Sequence, residues 1–165
     1  MAGAQGGTMR LDDRLVEFLR RPLMCIVAGV DAQGRPAAGR GIGVQVLEDR
    51  ETIDVIFSAW QWPRVATSIQ QTGRLAATFV SPADYMTYQI KGPAAMRGAE
   101  ASDLACADRF MADATDALTS LGVPPPIIAP WLTAHDAKVA RLRTCEIYIQ
   151  TPGPQAGMLA GTEAR

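Results

Sequence analysis

The chain has 165 residues, 48% of them hydrophobic and 20% charged, and its 16 Lys plus Arg nearly balance its 17 Asp plus Glu. That suits one globular domain, and the balance excludes a global electrostatic attraction to nucleic acid or an anionic membrane. No apolar run approaches the ~20 residues of a membrane helix, and the glycine-rich start MAGAQGGTMR lacks the apolar stretch of a secretory signal.

Residues 1–10 are read as a disordered tail. LDDRLVEFLRR (11–21) then places Leu11, Leu15, Phe18 and Leu19 at helical spacing, and Pro22 stops the helix. LMCIVAGV (23–30) is a short apolar run that suits a buried strand, DAQGRP (31–36) is turn chemistry, and 37–48 reads as the return strand of a hairpin. By simple alternation Gly39, Gly41 and Gly43 share one face of that strand, where something can lie close against the backbone.

TIDVIFS (52–58) alternates, with Ile53, Val55 and Phe57 inward and Thr52, Asp54, Ile56 and Ser58 outward. Pro63 suits a first helical turn, and a short helix follows to Gly73. RLAATFV (74–80) is a further strand. The next strand, about 85–99, holds TYQIKG, in which Tyr88 and Ile90 face one way and Thr87, Gln89 and Lys91 the other. That polar row is either a solvated face or one that grips a polar ligand. Gly92 and Pro93 mark a bend or bulge in it.

Ser102 is a candidate cap for a helix over 102–121, with Leu104, Ala107, Phe110, Met111, Ala114, Leu118 and Leu121 on one stripe. A last strand spans 138–150, and TPGPQAG after it is irregular. Residues 158–165 are read as a flexible tail. Six strands in hairpin-like succession, with helices at the edges, predict one mainly β domain over 11–157, an antiparallel barrel rather than alternating βαβ units. Cys25, Cys106 and Cys145 form no CxxC pair and, with His135 as the single histidine, no metal-ligand spacing. They predict reduced thiols in a cytoplasmic protein, with no metal.

Three stretches carry a resemblance: IFSAWQWPRVATSI (56–69), YQIKG (88–92), and the closing strand with QTPGPQAG (150–157). In this order they resemble the FMN-binding split-barrel family, whose best-known member is pyridoxamine 5′-phosphate oxidase. The resemblance implies a six-stranded antiparallel split β-barrel, a homodimer, and FMN in grooves between the subunits. It also implies that Arg40 and Gln45 occupy the place of a basic pair on the second strand. Ser58 would stand at the family's hydroxyl position with Ala59 beside it as a further cofactor-binding candidate, and Arg64 at its basic residue on the helix start. Trp60 or Trp62 would stack on the ring or on a substrate, Gly41 and Gly43 would allow close approach, and Thr87, Gln89 and Lys91 would border the flavin.

The implied activity is flavin-dependent oxidoreduction of a small organic substrate or a nicotinamide, with no protein nucleophile. The chain departs from the oxidase itself, because Arg141 and Arg143 lie near its end without the tryptophan and histidine of the substrate grip. A non-catalytic flavin or ligand binder, and split barrels that use the deazaflavin F420 or haem, are the alternatives.

Overall fold

The structure is a computed structural model that describes residues 7–160. The outer parts of the two expected tails, 1–6 and 161–165, lie outside the described residues. What is described of them is tied down. The Met9 N–H donates to the Thr144 carbonyl at 2.8 Å, and the Ala160 N–H donates to the Ile147 carbonyl at 2.7 Å.

Seven strands form the sheet: β1 (Met24–Val30), β2 (Pro36–Val46), β3 (Thr52–Ser58), β4 (Arg74–Val80), β5 (Thr87–Gly98), β6 (Ala137–Arg143) and β7 (Glu146–Ile149). Six of them follow one another in the order β4-β1-β2-β3-β6-β5, and a β4–β5 ladder closes the ring. Every ladder is antiparallel. This is the closed six-stranded barrel that the hairpin succession predicts, and closure leaves the ring without a free edge.

The expected single strand over 138–150 is divided in two. β6 lies between β3 and β5, but β3 begins at Thr52, opposite Arg143. Beyond that point the Thr144 N–H turns back to the Glu51 carbonyl at 2.8 Å, and the Cys145 N–H reaches the Lys91 carbonyl at 3.0 Å. The chain then resumes as β7 beside Tyr88–Lys91 of β5. Gly92 sits at this junction for a steric reason, because a Cβ there would run into the Arg143 carbonyl.

The inner core gathers Phe18 of α1 (Asp13–Leu19), Val65 and Ile69 of α2 (Pro63–Thr72), and inward residues such as Val27, Val55, Phe57, Phe79 and Ile90. A second, outer core lies beneath α3 (Ala101–Ser120) and joins Ile42, Ile56, Cys106, Ala107 and Val139. The alternation in β3 therefore does not separate core from water. Ile56 and Asp54, expected outward, are covered by α3 and are 0% and 3% exposed. Fully burying an Ile is worth ~1.5–3 kcal/mol, enough to hold a long helix on the barrel when several join. Ser102 lies within α3. Glu100 is the cap, in a reciprocal capping box with Asp103.

A bulge corrects the glycine face. β2 pairs Gly41 with Phe57 and Gly43 with Ile56, so Ile42 is an extra residue and the facing reverses there. The space beside Gly39 and Gly41 is filled by Trp62 and Cys25 of the inner core, and that beside Gly43 by Ile56 of the outer core. These absent side chains make room for the protein's own packing.

Candidate ligand face

The register of four ladders builds a continuous outer surface. One row runs Arg40–Ile26–Thr78–Gln89–Tyr148, across β2, β1, β4, β5 and β7. The next row runs Ala38–Ala28–Ala76–Lys91–Glu146. With strands ~4.8 Å apart, each row is roughly 19 Å long. The residues between these rows face the inner core, while Ile26 and Val30 are 43% and 40% exposed. The result is an uncovered sheet face with a floor of small side chains and polar groups at its borders.

Gln89 donates from Nε2 to Thr78 Oγ1 at 3.0 Å. The Lys91 ammonium stands 4.6 Å over the Tyr148 ring. The Tyr148 hydroxyl donates to Glu146 Oε2 at 2.5 Å. This bond to the Glu146 carboxylate, helped by desolvation, raises the tyrosine pKa above its ordinary value. Arg40, half-buried at the far end of the row, lays its guanidinium 4.5 Å over the Trp131 ring.

Of the eleven residues the sequence singles out, this face brings together Arg40, Gln89 and Lys91. Thr87 shares their strand face but is covered by the chain after β7. Its N–H donates to Thr151 Oγ1 at 2.9 Å and its hydroxyl to the Tyr85 carbonyl at 2.7 Å. Ser58 lies one step beyond the Gly41–Phe57 pair, opposite Ala137 of β6, and is fully buried. Its hydroxyl is engaged, donating to the His135 carbonyl at 2.6 Å and accepting the Gln61 N–H at 3.1 Å. Ala59 donates its N–H to the Asp136 carbonyl at 3.0 Å. Trp60 is 64% exposed and meets the His135 ring edge-on at 5.3 Å.

Two residues lie elsewhere. Arg64, exposed at the start of α2, lines a separate concavity with Asp31 and Arg35 of the β1–β2 turn. Gln45 is five residues past Arg40, roughly 17 Å along the strand. It lines a hollow under α3 with Arg21 and Arg109. The second-strand pair is therefore not a pair in space.

Sequence reasoning missed Thr78, Tyr148 and Glu146. The alternation in RLAATFV and EIYI places each on a definite face, but only the ladder register sets them beside Gln89 and Lys91.

No protein-family model matches the chain, and no curated protein matches it by sequence. Solved structures match by shape. HupZ of Group A Streptococcus is 18% identical with a TM-score of 0.54, over 89% of this chain and 99% of that one. A protein described as an F420 reductase is 18% identical with a TM-score of 0.51, over 83% and 98%. A pyridoxamine 5′-phosphate oxidase-related, FMN-binding protein of Nostoc punctiforme is 16% identical with a TM-score of 0.50, over 89% of each chain. The fold is thus a split β-barrel like that of the pyridoxamine 5′-phosphate oxidase-related, FMN-binding protein. Among the described residues no helix is long and apolar enough to cross a membrane.

Proposed function

We propose that the protein is a homodimeric, cytoplasmic flavoprotein that binds FMN on the outer sheet face and acts on a small organic substrate or a nicotinamide. The observation that carries this reading is the uncovered face itself. Ala28, Ala38 and Ala76 form a flat floor, Gln89 and Thr78 offer hydrogen bonds at its border, and Lys91 and Arg40 are cations without a carboxylate partner among the described residues. A flat ring system needs this combination of smooth apolar cover and a few edge contacts.

When bound, the flavin supplies the redox chemistry. The protein's part is to bind, orient and exclude water. Gln89 would bond the ring edge, and Lys91 would attract an anionic group. Arg64 stands in the first turn of α2, where a lone cation opposes the helix dipole and a phosphate would relieve it. Because the Ser58 hydroxyl is engaged by backbone and Arg64 lines a separate concavity, a phosphate on this face would rest on Arg40, with Arg64 contributing only from a second copy laid over the face. A second copy laid over the face would bury Ile26 and Val30 and close the groove. The free cysteines accord with a reducing compartment.

Titrating flavin against the purified protein, followed by fluorescence quenching, tests this. Arg64→Ala is expected to weaken FMN binding by roughly 10–100-fold, the worth of one charge-assisted contact, and Lys91→Ala by less. Wild-type protein that fails to quench FMN, or affinity unmoved by both changes in a folded protein, would overturn the reading. The absorbance spectrum of the coloured protein separates FMN from F420, the cofactor that the F420 reductase's name suggests, and from haem.

A further inference from the structure

Two cavities meet at the rim of the barrel, where β6 gives way to β7. The smaller, about 250 Å³, has an apolar wall that includes Ala28, Val30 and Leu75. The larger, about 650 Å³, is bordered by Arg143 and by Thr8 of the N-terminal segment. Arg74, Gly92 and Glu146 line both, so the two are compartments of one groove.

The charge in this groove is lopsided. Arg74, Arg143 and Lys91 face it against a single carboxylate, Glu146, which already accepts the Tyr148 hydroxyl. Arg74 and Arg143 are exposed, and the side chain of neither forms a hydrogen bond or ion pair among the described residues. Their backbones are closely fixed. Arg74 opens β4 opposite Pro93, just after Gly73, whose carbonyl accepts the Ala94 N–H at 2.8 Å. Arg143 closes β6 with its carbonyl against Gly92. The backbones of Arg74 and Arg143 thus flank the Gly92–Pro93 step, and both residues line the larger compartment. Two cations that line one compartment with no partner among the described residues suit an anion, and guanidinium forks suit oxyanions.

We propose that this groove binds a small molecule whose flat apolar body lies in the smaller compartment and whose anionic head, a carboxylate or a phosphate, lies between Arg74 and Arg143. The smaller compartment shares Ala28, Ala76, Lys91 and Glu146 with the sheet face, so its ligand and a ring laid across that row exclude one another, whereas Arg74 and Arg143 lie outside the flavin contacts named above.

Isothermal titration calorimetry of the full chain tests it, with phenyl phosphate and benzoate as probes and phenol and inorganic phosphate as partial probes. Saturable binding of phenyl phosphate or benzoate is expected, with the better of the two identifying the head group. Inorganic phosphate should bind more weakly and phenol give no heat. Arg74→Ala and Arg143→Ala should each lower affinity about tenfold or more, whereas Arg20→Ala, an exposed cation on another surface, should not. Glu146→Gln should tighten binding. Because both arginines are exposed and unbonded, the variants should melt like wild type; Arg74→Gln and Arg143→Gln serve where an alanine variant does not. Absence of saturable binding by either full probe would overturn the proposal, as would retained affinity in the double arginine variant. An equal loss in Arg20→Ala would reduce the effect to general charge attraction and would overturn it too.

Discussion

Gly92 shows how one residue can decide a junction. It has ordinary backbone angles, so its role is the close approach of the Arg143 carbonyl rather than a conformation reserved for glycine. Gly92→Ala should cost ~1–3 kcal/mol or more, the usual penalty for forcing an atom into a filled space. Gly98→Ala, at an exposed position with open space around it, should stay within about 0.5 kcal/mol. Urea midpoints read both, and equal midpoints would refute the steric account. The cysteines separate in the same way. Burial pushes the Cys25 thiol up to about 12, and Cys106 is 7% exposed, whereas Cys145 is only half-buried. A thiol reagent at pH 8 should therefore titrate Cys145 alone in native protein and all three thiols in urea. Rapid labelling of Cys25 in the native state would contradict the inner-core packing.

At the scale of elements, α3 is held by an ionic latch as well as by its buried Cys106, Ala107 and Ala114, while Leu104 and Leu121 of the expected stripe are exposed. Asp54 of β3 accepts both Nε and Nη2 of Arg141, each at 2.8 Å, and Arg97 bridges Asp54 to Asp103 at the start of α3. Asp103 also accepts the Glu100 N–H at 2.8 Å. The Arg97 guanidinium first, and then that N–H, hold the Asp103 carboxyl below the usual range. An unfolded Asp titrates near ~3.9. The group therefore contributes stability that is full above roughly pH 5 and is lost as pH falls through the lowered folded value. Asp103→Asn should cost ~1–3 kcal/mol at pH 7 and much less near pH 3. Guanidinium midpoints at the two pH values measure this; an equal cost at both would detach the latch from its charge.

At the scale of the whole molecule, closure of the barrel removes strand edges but leaves the sheet face open, with Ile26 and Val30 exposed. A solvated face of this kind is a natural contact for a second copy. Sedimentation equilibrium at micromolar concentration should give twice the chain mass. Ile26→Glu should shift the protein to monomer without lowering its melting temperature by more than a few degrees. A flavin-bound monomer would defeat the proposed dimeric groove.

Local chemistry alone made much of this chain legible. Pro22, Pro63, Gly73 and Gly122 punctuate elements wherever they stand, and the alternation of hairpin strands exposes an antiparallel barrel. The Gln89/Lys91 face was legible because side-chain direction in a strand has a period of two, which no distant residue alters. What lies opposite that face is a different kind of information. Register is set by ladders between segments far apart in sequence, so Thr78, Tyr148 and Glu146 joined the face only in the folded chain. The same holds for the Ile42 bulge, which reversed the glycine face, and for the cover that α3 lays over Asp54 and Ile56. The break at Thr144–Cys145 follows from where β3 begins and from the room at Gly92, neither of which is written in KVARLRTCEIYIQ. Periodicity is a property of one segment; burial, register and the meeting of charges are properties of pairs, and only tertiary structure chooses the pairs.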